Sequence, residues 1–240
     1  MSSDVFAVVG ATRGTGLHIA TQLLKRGKKV RVIARDATKA KSLLGTKAEV
    51  IAGDVTIRES LGTALKQDCQ AIFYAVDMSS GITGRGFLSS AAEIRNVTYQ
   101  GFVNVVNEAR ANDFNGRIIL LSGMGCDRCS TLGVLLNTIK GNLQKNMVDR
   151  EQFLKESGLD YTVCRGAVLN NNPGNAQRIV VKAPENTLSL MRQITRADFA
   201  RVLIAAAERP IASRKTYDVF NEPGPPNDEE DIEFQFQNIP

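Results

Sequence analysis

Three glycines punctuate the run Gly10-Ala11-Thr12-Arg13-Gly14-Thr15-Gly16. Residues without a side chain let the backbone turn sharply and come close to a bound group. The apolar run Val5 to Val9 precedes the loop, and Leu17, Ile19, Ala20, Leu23 and Leu24 follow it at helical spacing. Strand, tight turn and helix start in that order aim the first unpaired helix N–H groups at an anion. The expected chemistry is the cradling of a pyrophosphate by Gly10, Thr12, Arg13, Gly14, Thr15 and Gly16. The spacing is G-x-x-G-x-G rather than the strict G-x-G-x-x-G, and glycine-rich turns also close plain hairpins. The flanking strand and helix are what favour the cradle.

Lys29 to Ala34 reads as a second strand, and Arg35-Asp36 follows it. At that place in a dinucleotide site an acid accepts bonds from the ribose 2′-hydroxyl, whereas a base suits the 2′-phosphate of NADP. Arg35 comes first here, Arg13 reaches from the glycine loop, and the paired donors of a guanidinium match a phosphate. The residues therefore favour NADP, with two solvated arginines as the plain alternative and Asp36 as a competing NAD-type acid. After a third strand, Glu49 to Ala52, Asp54 either accepts a bond from the adenine amino group or shapes a turn, and Val55 packs the ring. A fourth strand, Ala71 to Val76, brings Ala75 and Val76 to the adenosine half.

The intervening pattern supplies the elements that hold these residues. Short helices are expected over Thr38–Leu44 and Arg58–Leu65, and a long one over about Ala91–Asn112 with Val97, Phe102, Val105, Val106 and Ala109 as its stripe. Further strands are expected at Arg117–Ser122, Tyr161–Gly166 and Tyr217–Phe220, with a short one at Arg178–Val181. Much of 132–157 reads as helical, and Thr195 caps a helix running to about Glu208. Five strand–helix alternations predict an α/β fold, a doubly wound parallel sheet of the Rossmann kind. Residues 1–221 are expected to form one NAD(P)-binding domain, with 166–195 contributing a small substrate region and 222–240 a Pro-rich, acidic tail. The glycine-rich stretch 77–90 is either a lid or a plain connection.

The 240 residues are 43% apolar, with no apolar run long enough to span a membrane. Four cysteines in a chain of this size suit a reducing compartment: the cytoplasm, or an organelle stroma or matrix if a presequence was removed. The net charge is +5 although residues 227–240 hold five acids and no base. No basic run interleaves with aromatics, so no nucleic-acid partner is expected. Cys126-x-x-Cys129 has only His18 as a histidine in the whole chain, too few ligands for a closed zinc site, so no metal is expected and thiol chemistry is the alternative. His18 itself suits a cap or surface role. In the tail, Ile232 to Phe236 alternates like a strand, which docks on its own sheet or on a partner chain unless the tail is disordered.

Four pieces in this order resemble the atypical, NmrA-like branch of the short-chain dehydrogenase/reductases. They are the Gly10–Gly16 loop, Asp54, Ser157-Gly-Leu-Asp-Tyr-Thr162 leading into Arg165-Gly166, and Ile194-Thr-Arg-Ala-Asp198. The similarity covers about residues 4–221. It implies NADP extended across the sheet edge, with nicotinamide near Arg165, and a small-molecule substrate. Relatives often read Arg-Pro-Gly where this chain has Arg165-Gly166-Ala167. Typical members carry Tyr-x-x-x-Lys after the fifth strand, and this chain has none: no tyrosine stands between Gly133 and Ser157. The resemblance leaves Ser122 and Lys145 (with Lys140 beside it) as candidate catalytic residues, although the family's lysine position is closer to Met147. A structural hydroxyl and a solvated lysine are the alternatives. Two functions remain open: an NADP(H)-dependent oxidoreductase, or a non-catalytic NADP(H)-binding protein serving as redox sensor, complex subunit or assembly factor.

Overall fold

Phe6 and Val8 point to one side of a sheet, Ala7 and Val9 to the other, and all four are buried. A strand apolar on both faces needs helices on both faces. The computed structural model describes residues 5–62, 64–66, 68–76, 89–127, 142–185, 189, 191–237 and 239. Most of the glycine-rich stretch 77–90, together with Cys129, Lys140 and the first part of 132–157, lies outside the described residues.

The strands are β1 (Val5–Val9), β2 (Lys29–Ala34), β3 (Ala48–Ala52), β4 (Cys69–Tyr74), β5 (Arg117–Gly123), β6 (Asp160–Gly166), β7 (Val168–Asn170), β8 (Arg178–Lys182), β9 (Gln193–Thr195) and β10 (Lys215–Glu222). They form one sheet in the order β3-β2-β1-β4-β5-β6-β10-β9-β7, with β8 pairing β10. From β3 through β10 the pairing is parallel, and β8 and β9 join β10 antiparallel. The chain thus makes the doubly wound α/β sheet expected of it. Its strand order reverses between β1 and β4, where such sheets open a crevice at their carboxyl ends.

Helices α1 (Gly14–Lys25), α6 (Arg196–Glu208) and α7 (Glu229–Gln237) cover one face through Ile19, Leu23, Phe199, Leu203, Ile232 and Phe236. Helices α4 (Gly101–Ala111) and α5 (Leu143–Glu156) cover the other through Phe102, Val105, Val106 and Leu154. The short α2 (Ala37–Leu44) follows β2, and α3 (Ala91–Arg95) leads toward α4.

Two expected helices come out differently. Among the described residues of 58–65 the helical element is a 3₁₀ turn, Arg58–Leu61. The long helix exists but is interrupted by a π-helical turn, Asn96–Gln100, where Tyr74 Oη donates to Val97 O at 3.3 Å. Inserted π turns rotate the residues around them and often mark functional sites.

The tail is a correction. Residues 229–237 form a helix, not a strand, and it docks within the chain. Asp228 and Asp231 cap each other reciprocally, with Asp231 N donating to Asp228 Oδ1 at 2.8 Å and Asp228 N to Asp231 Oδ2 at 3.3 Å. Three acids fill the first turn, where the helix dipole favours them. Ile232 and Phe236, four apart, are buried together, Phe236 edge-on to Tyr217 at 4.8 Å between centroids. Glu229 accepts from Arg26 and Arg201, and Glu233 pairs with Arg209. Along β8, Ile179 N donates to Asn227 Oδ1 and Val181 N to Gln235 Oε1.

Candidate functional site

The crevice at the switch point is a cavity of about 510 Å³ walled by the carboxyl ends of the first four strands. Of the expected cofactor residues, Gly10, Thr12, Arg13, Arg35, Asp54, Val55, Ala75 and Val76 line it. Gly14, Thr15 and Gly16 form the start of α1 behind the loop. The close approach is real at two glycines. A Cβ on Gly16 would lie 2.3 Å from Gly10 O, and Gly10 itself has φ +93° with Ala75 O 3.0 Å from its missing Cβ. Arg13 is the N-cap of α1 and makes no side-chain capping bond. Thr15 Oγ1 is buried without a partner among the described residues. Unclaimed donors at a helix start, packed where only glycine fits, suit a pyrophosphate.

Around the far end of the cavity the side chains divide their work. Asp36 Oδ1 accepts from Lys39 N at 2.8 Å and so caps α2. Arg35 and Lys39, four apart, both stand on the cavity wall. Lys39 was missed in the sequence: it stands in the first turn of α2, which begins two residues after Arg35. Ser89 and Val97 also line the cavity unforeseen, Val97 because the π turn carries it there. Asp54 Oδ1 accepts from the backbone N–H and the hydroxyl of Thr56 at 2.9 and 2.8 Å, so the residue shapes the turn and faces the cavity as well.

Two further candidates, Ser122 and Arg165, lie beyond the cavity at the carboxyl ends of β5 and β6, beside the middle of β10. Ser122 and Arg165 are register partners, as are Arg165 and Asp218. Arg165 is 4% exposed and lies in an ion pair rather than on the cavity wall. Its Nε and Nη2 donate to Glu151 at 2.7–3.2 Å and its Nη1 to Asp127 at 2.9 Å. Ser122 Oγ donates to the same Glu151 carboxylate at 2.6 Å. The Cys126 thiol also points at it, at 3.4 Å, and burial pushes that thiol up to about 12, which suppresses the thiolate. Lys145 lies apart from this group, exposed on α5 and 3.2 Å from Asp149. Met147 instead faces the strand end: a Cβ on Gly123 would sit 3.2 Å from its Sδ. Arg150, buried on the same helix, donates from Nη1 to Val76 O at 3.3 Å and so ties α5 to the cavity rim.

Asp218 completes the row. It is fully buried, its Oδ2 accepts from Glu185 N at 2.9 Å, and its Oδ1 has no partner among the described residues. Burial pushes its carboxyl above the usual range. A carboxyl raised by folding stabilises the fold below its unfolded value, and that contribution fades as pH rises through the folded value. Asp218→Asn is therefore expected to raise the melting temperature at neutral pH, with the gain shrinking toward zero at acidic pH. Melting curves of both proteins from acidic to neutral pH check this, and a gain that grows on acidification refutes it.

Residues 10–210 match the family described as NAD(P)H-binding. The chain is 28% identical over 219 residues to the uncharacterized chloroplastic protein At2g34460 of Arabidopsis thaliana, covering 88% of this chain and 75% of that one. A putative NAD-dependent epimerase/dehydratase from Bacillus halodurans superposes with a TM-score of 0.73 at 19% identity, covering 97% of this chain and 98% of that one. A short-chain dehydrogenase/reductase from Veillonella parvula in complex with NADP does so with a TM-score of 0.70 at 16% identity, covering 92% and 96%. With the glycine loop, the switch-point cavity and the 3-2-1-4-5-6 strand order in one molecule, the chain belongs to the NAD(P)H-binding family.

Proposed function

We propose that the protein is an NADP(H)-dependent oxidoreductase acting on a small molecule. The observation that carries the cofactor choice is the wall where the adenosine ribose would sit. Arg13, Arg35 and Lys39 stand there, three bases to the one acid on that stretch of wall, Asp36, whose Oδ1 is engaged in capping α2. The bound cofactor supplies the hydride; the protein's share is to hold it and to exclude competing reactions. Gly10 to Gly16 and the start of α1 would hold the diphosphate, Asp54 and Val55 the adenine. Ser122 donates its hydroxyl hydrogen bond to Glu151 and acts as a positioning residue at the end of β5. With no Tyr-x-x-x-Lys in the chain, the proton of a reduced product comes from another residue, from water or from the substrate itself.

Arg35→Ala tests the cofactor choice. Loss of a charge-assisted phosphate contact is expected to weaken NADPH binding by about 10- to 100-fold, with NADH binding within about threefold of the parent. Titration calorimetry with both nucleotides reads this, and an unchanged preference for NADPH sinks the assignment.

The absent Tyr-x-x-x-Lys favours a second reading, a redox sensor that binds NADP(H) without turning it over. Partnering through the tail loses its support, because Ile232 and Phe236 are spent inside the chain. Oxidation of NADPH against a panel of carbonyls, quinones and flavins separates the two: tight binding with no turnover of any class leaves the sensor. No helix among the described residues is long and apolar enough to cross a membrane. Of the two compartments expected, the chloroplastic relative supports the organelle stroma.

A further inference from the structure

Arg196 opens α6, directly after β9, in the stretch Ile194-Thr-Arg-Ala-Asp198. Thr195 Oγ1 caps that helix by accepting from Asp198 N at 3.0 Å, which fixes where Arg196 departs. Its side chain runs to the glycine loop: a Cβ on Gly14 would lie 3.6 Å from Arg196 Nε and 3.7 Å from its Cδ. The glycine with φ +55° at the start of α1 thus leaves open a space that the arginine of another helix borders.

The electrostatics of this corner are lopsided. The first turn of α1 presents the positive end of a helix dipole and contains no acid. Arg196 is half-buried, and burial lowers its affinity for a proton. His18, on the next turn of α1, is held below the usual imidazole range by burial and then by the Arg196 charge. Against these, the side-chain partner of Arg196 among the described residues is neutral, Asn171 Oδ1 at 2.9 Å. One residue past Gly14, Thr15 Oγ1 is buried and unpartnered. A partly desolvated cation and a helix N-terminus meet beside Gly14 with no counter-charge among the described contacts, and the hydroxyl of the next residue, Thr15, is idle.

We propose that Arg196 is a diphosphate clamp, closing on the cofactor's pyrophosphate from the start of α6, across Gly14 of the loop. This rests on the dinucleotide reading above and extends it to a residue outside the glycine loop. The clamp links cofactor and substrate region, because the guanidinium that grips the diphosphate is the one held by Asn171, which follows β7. It also separates phosphate duties: Arg35 and Lys39 serve the 2′-phosphate, which only NADP carries, and Arg196 serves the diphosphate that NAD and NADP share.

Titration calorimetry with NADPH, NADH and adenosine 2′-monophosphate tests this, the last having a 2′-phosphate and no diphosphate. Arg196→Gln is expected to weaken NADPH and NADH by the same factor, about 10- to 100-fold, and to leave the monophosphate unchanged. Arg196→Lys, which keeps the charge without the fork, should lose less than the glutamine variant for both dinucleotides. Thermal melting without nucleotide establishes that each variant is folded, and if the glutamine variant is not, a lysine variant binding both dinucleotides like the parent overturns the clamp. So does a folded Arg196→Gln that binds both dinucleotides like the parent, and so does an equal loss for the monophosphate, which would move Arg196 to the 2′-phosphate. Failure of the unsubstituted protein to bind either dinucleotide would instead remove the cofactor reading itself.

Discussion

Replacing Glu151 by alanine is expected to cost about 3–5 kcal/mol of stability, the range for breaking one side of a buried ion pair. Glu151 is 2% exposed and Arg165 4%. Both carboxylate oxygens serve the guanidinium, and one also receives the Ser122 hydroxyl. Alanine leaves Arg165 in the same low-dielectric place with Asp127 as its remaining acid among the described contacts. It also orphans a hydroxyl that is 3% exposed. The retained Asp127 pair pulls the cost toward the lower end. Changing both residues, Glu151→Met with Arg165→Met, should recover much of the loss, because the cost lies in the stranded charge rather than in the pair. Urea denaturation of the single and double variants measures both. A single-variant loss below about 1 kcal/mol would mean that the pair is not buried as described.

Gly16→Ala is the second large effect, and it strikes binding and stability together. The new methyl would meet Gly10 O at 2.3 Å and Ala75 Cβ at 3.2 Å. Neither neighbour is the flexible end of a side chain, so α1 has to move off the loop. Overpacking of this kind costs about 1–3 kcal/mol. The cradle also depends on the same approach, so NADPH affinity should fall by at least about 100-fold, as expected when several charge-assisted contacts are lost at once. Gly45→Ala serves as the control. That residue has φ +67° with nothing within 4 Å of its missing Cβ. It should therefore show only backbone strain, about 1–3 kcal/mol, with NADPH binding unchanged. Calorimetry and thermal melting of the two variants decide the matter: equal binding would place the cofactor elsewhere.

The cavity wall was legible because its signals are local. The glycine loop, Arg35 after β2 and Asp54 after β3 each sit at a strand end that continuous apolar runs mark. Asp36 was ambiguous for the same reason: a carboxylate before a helix reads equally as a ribose acceptor and as a cap, and only the 2.8 Å bond from Lys39 N separates them. The catalytic side was not legible. Arg165 sits where the family's motif puts it, but the position of its guanidinium is decided by Glu151 and Asp127, 14 and 38 residues away. Lys145 falls on the exposed face of α5 and Met147 on the inner one, a distinction set by how the helix is rotated against β5. In the tail, alternation and helical spacing competed over five residues. Ile232 and Phe236 satisfy both patterns, and the reciprocal Asp228–Asp231 cap, present in the sequence, was the better guide.

The tail helix has a consequence for what its detachment would expose. Asn227 and Gln235 occupy backbone donors on β8, and Phe236 covers Tyr217. A chain whose segment 227–237 has come away presents one strand edge and one aromatic pocket at once, and such an edge is a template for pairing with another copy.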